Sequence, residues 1–276
     1  MSEQTIIKLP DGNMMPQLGL GVVWQASSDD ALKAVMKAFE VGYRAVDTAA
    51  IYKNEESVGQ AISQSALPRE QIFITTKLWN DDQLNVRAAL ETSLEKLRLD
   101  SVNLYLMHWP CPEKDNYVDA WKQIILLQQQ GMATSIGVCN FNESHLKRLI
   151  DETGVTPAVN QIELHPLFQQ RTLYAWNAMH QIQTESWSPL AQGGKGVFDH
   201  PVIKGLAKQY GKTPAQIVIR WHLDCGLVVI PKSVTPSRIE ENFNVFDFRL
   251  DKDDISEITK LDAGHRLGPD PELSNF

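Results

Sequence analysis

The chain has 276 residues and a formal net charge of −8, with 43% hydrophobic and 22% charged residues. That size lies close to the roughly 250 residues of one closed α/β barrel, and the balance suits a globular protein with a large core rather than a disordered chain. The acidic excess, with no local run of Lys and Arg to override it, argues against nucleic acid as a partner.

In chain order, the opening MSEQTIIKLPDG lacks the basic start and apolar stretch of a secretory signal, and no later segment approaches the ~20 apolar residues of a membrane span. A soluble, cytoplasmic protein away from membranes is expected. Residues 5–8 and 13–15 flank the turn Pro10-Asp11-Gly12 and predict a small hairpin that plugs one end of the fold. From there a short apolar, β-branched run alternates with a longer segment of helical periodicity until the end of the chain. Strands are predicted at 17–21, 43–47, 72–77, 102–107, 134–138, 158–161, 182–186 and 227–230. Helices with apolar positions three and four apart are predicted at 29–41, 54–65, 84–97, 117–130, 143–151, 173–180 and 213–222. A further helical stretch covers 253–261, and residues 262–276, rich in Gly, Pro and polar groups, predict a surface segment or a loop over a site.

Strands apolar on both faces, each followed by a helix, imply a parallel sheet covered by helices, and eight units permit closure into a (β/α)8 TIM barrel. A doubly wound open sheet is the alternative. Against it, no linker divides residues 1–276, which read as a single domain, and Gly19-Leu20-Gly21 supplies only part of a dinucleotide-binding glycine pattern. Cys111, Cys139 and Cys225 are odd in number and widely spaced without C-x-x-C, which suits structural thiols in a reducing compartment and gives no zinc ligand set.

In such a barrel the residues just after the strands form the active site. Asp47 ends the second predicted strand, Tyr52 follows in its loop, Lys77 ends the third, and His108 follows the fourth. Each alone has an ordinary structural explanation; four from three adjacent strand ends make coincidence a poor account. Carbonyl reduction needs hydride at carbon and a proton at oxygen, delivered by an acid within about 3 Å. Tyr52 suits that role if its pKa falls from ~10, which a neighbouring Lys77 ammonium promotes, with Asp47 holding Lys77 charged and aimed. His108 can then orient the carbonyl by a hydrogen bond.

These residues belong to a longer series of spaced motifs: Met15-Pro16, Gly19-Leu20-Gly21, Gly42-Tyr43-Arg44, Asp47-Thr48-Ala49, Tyr52-x-Asn54-Glu55, Lys77-Leu78-Trp79 and Leu104-Tyr105-Leu106-Met107-His108-Trp109-Pro110. The series continues with Ile136-Gly137-Val138-Cys139-Asn140-Phe141, Asn160-Gln161-Ile162-Glu163, Trp187-Ser188-Pro189-Leu190 and Ile230-Pro231-Lys232-Ser233. From about Met15 to Pro269 the pattern resembles the aldo-keto reductase superfamily, and within it the bacterial 2,5-diketo-D-gluconate reductases, which implies reduction of small carbonyls such as 2,5-diketogluconate, methylglyoxal and β-keto esters. The resemblance implies the Asp47-Tyr52-Lys77-His108 tetrad as catalytic and NADPH as cofactor.

Physically, Lys232, Ser233 and Arg238 after the last strand offer two cations and a hydroxyl for a 2′-phosphate, with an ordinary solvated basic patch as the alternative. The resemblance assigns them that role and places Glu241 and Asn242 beside the adenine. It gives Cys139, Asn140 and Gln161 to the nicotinamide carboxamide, Trp187 to the face of the ring, and Ser188 and Leu190 to the pyrophosphate path. Amide side chains suit an amide ligand because each offers donor and acceptor. Trp24, Trp79, Trp109 and His108 would form the substrate rim.

The sequence departs from the family at three places. Val22 and Val23 both precede Trp24 where one residue is usual, Asn103 replaces a common Asp, and Cys139 replaces a small hydroxyl residue. Cys139 could sensitise the cofactor site to oxidation, with a buried structural thiol as the other reading. Gly211-Lys212-Thr213 resembles the end of a phosphate-binding loop but has the wrong glycine spacing and follows no strand. Two other functions fit less well: a metal-dependent hydrolase on Asp47, His108 and His165, disfavoured by Lys77 and by the lack of an H-x-H pair, and an NADPH-binding regulatory subunit with little turnover, disfavoured by the intact tetrad. A monomer is expected.

Overall fold

The structure, a computed structural model, describes residues 4–22 and 27–276. The chain starts with an antiparallel hairpin of β1 (Ile6–Lys8) and β2 (Met14–Pro16), in which Ile7 pairs with Met15. Leu9 and Met15, each 1% exposed, pack on Ala45, Phe73, Leu104 and Ala158 inside the main sheet, so the hairpin closes one end of it as expected.

The main sheet comprises β3 (Leu20–Gly21), β4 (Ala45–Asp47), β5 (Phe73–Leu78), β6 (Val102–Met107), β7 (Ala133–Cys139), β8 (Val159–Glu163), β9 (Gln183–Trp187) and β10 (Val228–Val229). Its order is sequential and every pair is parallel. The two edge strands meet. Gly19 N–H donates to the Val229 carbonyl at 2.9 Å, Val229 N–H to the Gln17 carbonyl at 2.9 Å, and Gly21 N–H to the Pro231 carbonyl at 3.2 Å. A Cβ on Gly21 would lie 2.8 Å from the Ile230 carbonyl oxygen, so only glycine lets the seam close. The paired glycines of 19–21 thus serve barrel closure.

Between the strands lie α1 (Ser28–Val41), α2 (Glu55–Gln64), α3 (Val86–Leu97), α4 (Tyr117–Gln129), α5 (Glu143–Thr153), α6 (Arg171–Met179), the kinked turn α7 (Ala191–Gly194), α8 (Pro201–Tyr210) and α9 (Pro214–Asp224), and after the last strand follow α10 (Pro236–Phe243) and α11 (Lys252–Thr259). Their apolar stripes bury Val35, Leu90, Trp121, Leu149 and Ile219 against the outer faces of the strands, which explains why those strands read as apolar on both faces. Helix α8 was not anticipated from periodicity, although its ends carry the proper signals: His200 caps it, Pro201 occupies its first turn, and Gly211 follows at φ 63°. In the discarded phosphate-loop segment, Lys212 pairs with Asp247 at 2.7 Å and Thr213 caps α9, so both groups are structurally committed. Among the described residues no helix is long and apolar enough to cross a membrane.

Candidate active site

At the C-terminal end of the barrel the four sequence-predicted polar groups converge. Asp47 is the last residue of β4, Lys77 lies near the end of β5, and His108 directly follows β6. Tyr52 ends a single 3-10 turn, Ala50–Tyr52, after which Lys53 adopts φ 54° and redirects the chain into α2. This loop is fixed from below. Thr48 Oγ1 donates to Asn54 Oδ1 at 2.6 Å, Asn54 Nδ2 donates to the Val22 carbonyl at 3.3 Å, and Thr76 Oγ1 donates to Glu55 at 2.6 Å.

Lys77 is fully buried, which is tolerable for a charge only with partners. Its ammonium pairs with Asp47 Oδ1 and donates to the Thr48 carbonyl at 2.8 Å, leaving its third proton uncommitted beside Tyr52, whose ring centroid is 5.2 Å from Nζ. Burial opposes the charge on Lys77, but Asp47 and the neighbouring groups together raise its pKa above the ordinary value. For Tyr52 the balance tips the other way: burial dominates the pull of Lys77 and pushes the phenol up to about 12. The expected fall below ~10 is therefore corrected. Desolvation penalises phenolate more than one ammonium rewards it, so the phenol is held in the protonated form that a proton donor needs.

His108 meets Tyr52 edge-on, centroids 5.7 Å apart, and Trp79 edge-on at 5.2 Å. Burial and the Lys77 charge lower its pKa well below the usual imidazole range, so the ring is neutral near pH 7. Its Nδ1 is buried without a hydrogen-bond partner among the described residues, which leaves Nε2 as the nitrogen able to meet a ligand. The backbone at His108 is held at both ends, its N–H donating to Leu78 at 3.1 Å and its carbonyl accepting from Asn140 Nδ2 at 3.0 Å.

Beyond the tetrad, β7, β8 and β9 bring the expected cofactor residues together. Cys139, the last residue of β7, and Gln161, in the middle of β8, are register partners, and Asn140 follows Cys139 at φ 61°. Asn140 Oδ1 accepts from Trp187 Nε1 at 2.8 Å, which locks the indole edge to the amide and leaves the ring face free of that bond. Gln161 Nε2 donates to Asp47 Oδ2 at 2.8 Å and to Glu185 Oε2 at 2.9 Å, while its Oε1 has no partner among the described residues. Cys139 is 1% exposed and burial drives its thiol pKa far up, which favours the structural-thiol reading. In the loop after β9, Ser188, Ala191 and Gln192 all sit near φ 50°, an uncommon cluster of left-handed non-glycine residues of the kind found at ligand-binding loops. Leu190, half-buried, lies within it.

Lys232 and Arg238 are exposed and form no ion pair among the described residues, whereas buried Ser233 caps the following turn by accepting from the Thr235 N–H at 3.1 Å. Asn242 is buried on α10, and Glu241 already accepts from Thr213 at 2.8 Å, so the latter is partly committed to holding α10 on α9. Two unpaired cations, a free amide oxygen and an indole face form a set that fits a phosphorylated dinucleotide. Trp79 lies edge-on to His108 and Trp109 directly follows it in the chain; Trp24 and Val23 lie outside the described residues.

Three further residues complete the site. Phe276 stacks on Trp79 with centroids 6.0 Å apart and meets Trp109 edge-on at 5.3 Å, bringing segment 262–276 over the entrance. Glu163, buried at the end of β8, accepts from the N–H groups of Leu267 and Gly268 at 2.7 and 2.8 Å and so fastens that segment. Glu185 is a carboxyl in the barrel interior that burial and the nearby Asp47 push up to about 8. A charged residue inside a run otherwise reading as buried strand was the available signal for Glu185.

Fold and site together define an enzyme built on a (β/α)8 barrel, with its polar machinery at the C-terminal ends of the strands. Residues 14–196 and 199–263 match the model of the aldo/keto reductase family. The chain belongs to the aldo/keto reductase family. It is 70% identical over 272 residues to methylglyoxal reductase DkgA of Escherichia coli K12, covering 99% of this chain and 98% of that protein. The corresponding Yersinia pestis protein is 68% identical over 273 residues, with the same coverage. Among solved structures, a mutant of Gox0644 in complex with NADPH superposes with a TM-score of 0.94 at 48% identity and 99% coverage of each chain. A Bombyx mori aldo-keto reductase in complex with NADP gives 0.89 at 37% identity, covering 96% of this chain and 95% of that one.

Proposed function

We propose that this protein reduces small aldehydes and ketones with NADPH, and that Tyr52 is the proton donor. The observation that carries the reading is the buried Lys77 ammonium, fixed by Asp47 and Thr48 and set 5.2 Å from the Tyr52 ring, with neutral His108 edge-on to that ring at 5.7 Å. When bound, NADPH supplies a hydride for the carbonyl carbon. His108 offers Nε2 to the carbonyl oxygen and orients it. As negative charge develops on that oxygen, Tyr52 releases its phenolic proton to it, giving the alcohol, and the transient phenolate lies beside the Lys77 ammonium. Solvent then reprotonates Tyr52. Asp47 keeps Lys77 charged and aimed, so it acts without touching the substrate.

Lys232, Ser233 and Arg238 would hold the 2′-phosphate, Asn242 and Glu241 the adenine side, and Ser188 and Leu190 the pyrophosphate path. Asn140, Gln161 and Cys139 would hold the carboxamide, with Trp187 against the ring. Trp79, Trp109 and His108 line the substrate side, a small aromatic entrance suited to compact polar carbonyls. The high identity to proteins named methylglyoxal reductase supports methylglyoxal as one of them, with 2,5-diketo-D-gluconate and β-keto esters as companions of similar size and polarity. Every group invoked comes from one barrel, which supports a monomer acting as a single domain; three free cysteines agree with a cytoplasmic setting.

The test follows NADPH and NADH oxidation against methylglyoxal, 2,5-diketo-D-gluconate and a β-keto ester. Turnover with NADPH, abolished in Tyr52→Phe, is the expected result. Full activity in that variant would overturn the assignment, and turnover of none of the three would remove the substrate class.

A further inference from the structure

The Gln161 amide is held between two carboxyl groups. One nitrogen, Nε2, donates to Asp47 Oδ2 at 2.8 Å and to Glu185 Oε2 at 2.9 Å, so both of its protons are used. Reversing the amide would bring Oε1 against the Asp47 carboxylate, which is already engaged by the Lys77 ammonium and has no proton to give. Gln161 therefore has a single polar atom left for a ligand, its carbonyl oxygen, which has no partner among the described residues. Glu185 is held in its turn. Its strand pairs it with Gln161 on β8 and Val228 on β10, it is fully buried, and its second oxygen Oε1 has no hydrogen-bond partner among the described residues, where its one hydrogen bond is to the Gln161 amide. A carboxyl group in a barrel interior with that single contact is less favourable than an apolar residue of the same shape, so its presence calls for a role.

We propose that Glu185 is a positioning residue for the cofactor: by occupying the second proton of Gln161 Nε2, it restricts this side chain to accepting a hydrogen bond and so selects a nicotinamide ring bearing an N–H donor. The inference rests on the reading that Gln161 meets the carboxamide. With Glu185 absent, one N–H is released, only Asp47 still opposes reversal of the amide, and the penalty on a ring substituent that only accepts becomes smaller. Asp47 still holds the other proton, so the barrel and the Lys77 pair keep their arrangement.

Dissociation constants for NADPH and for its reduced 3-acetylpyridine analogue, in which a methyl group replaces the carboxamide nitrogen, test this directly. Both are read from quenching of tryptophan fluorescence, independently of turnover. The native protein is expected to prefer NADPH by roughly three- to tenfold, the range of one buried hydrogen bond. Glu185→Met, of similar volume and without an acceptor, is expected to lose a measurable part of that preference, about two- to threefold, whereas Glu185→Gln, whose amide oxygen can still accept from Gln161, retains it. Glu185→Ala repeats the measurement should the methionine variant fail to fold. Loss of preference in Gln161→Met with full preference in Glu185→Met or Glu185→Ala would overturn the role of Glu185 and leave the carboxamide reading intact. Full preference in Gln161→Met would instead remove the carboxamide reading, and this inference with it. Loss in Glu185→Gln as severe as in Glu185→Met would also overturn it, because an acceptor at this position would then not be what holds the Gln161 amide.

Discussion

The two ends of the proposed cofactor track are built on opposite principles. At the ends of β4 to β6, Asp47, Lys77 and His108 are all buried, and Lys77 is satisfied by protein groups before any ligand arrives. After β10, Lys232 and Arg238 are exposed and have no acidic partner among the described residues. Where a proton must move along a defined line, the protein itself supplies the counter-charges and holds them in a low-dielectric layer. Where only a dianion must be caught, the cations are left in water for the ligand to complete. Substitutions at the first end should therefore damage chemistry and folding together, and those at the second only binding.

The largest effect is expected from Tyr52→Phe. A positioned general acid contributes about 10²- to 10⁴-fold, so kcat with methylglyoxal should fall within that range while the NADPH dissociation constant stays within about twofold. Lys77→Met should reduce kcat comparably but also lower stability, since it leaves Asp47 buried without its partner; breaking such a pair costs about 3–5 kcal/mol, visible in urea unfolding. An unchanged unfolding midpoint would show that the barrel interior does not depend on the pair.

At the other end, replacing Lys232 and Arg238 together with alanine should weaken NADPH binding about 10- to 100-fold, leave NADH binding unchanged, and leave the unfolding midpoint within error. An equal loss for both cofactors would mean that the cations do not read the 2′-phosphate. The contrast with Lys77→Met is the informative part, because the proposed reading makes one lysine structural and chemical and the other only a receptor.

How much of this was legible beforehand follows the same division. Asp47, Tyr52, Lys77 and His108 could be read because strand ends in a closed parallel barrel are functional positions and their spacing from the apolar runs is short. The direction of the Tyr52 shift could not, since the sequence shows that a lysine is near but not how much water the loop excludes. Glu185 was hidden by its setting within a run assigned wholly to strand, and its role depends on Gln161 from the neighbouring strand. Phe276 reaches Trp79 across nearly two hundred residues of chain, a contact no local pattern reports. Helix α8 escaped because Gly205 interrupts its apolar periodicity, although its caps were present.

Glu185 also gives the interior a dependence on pH. Burial and Asp47 raise its folded-state value from 4.5 to about 8, so between those limits the folded protein binds more protons than the unfolded chain. Stability from this group is complete below about pH 4.5 and declines as pH rises toward 8. Glu185→Gln, which cannot ionise, should flatten that decline, so that its melting temperature gains on the native protein by about 5 °C between pH 5 and 8.5. A constant difference across this range would mean that Glu185 is already ionised in the folded barrel.

The smallest effect is expected at the entrance. Phe276 stacks on Trp79 and meets Trp109 edge-on, and its carbonyl accepts from Asn80 Nδ2 at 3.0 Å, so its ring covers the aromatic rim without touching the tetrad. Aromatic contacts of this kind contribute about 0.5–1.5 kcal/mol each, which limits what Phe276→Ala can do to about a 2- to 10-fold change in KM. Because Tyr52, Lys77 and Asp47 keep their partners, kcat at saturating substrate should remain within about twofold. The change should also depend on the substrate: removing the ring widens the entrance, so KM for a bulky aromatic ketone should fall while that for methylglyoxal rises. A parallel rise for both would place Phe276 in the stability of segment 262–276, held by Glu163 through Leu267 and Gly268, rather than at the surface that sorts carbonyls by size.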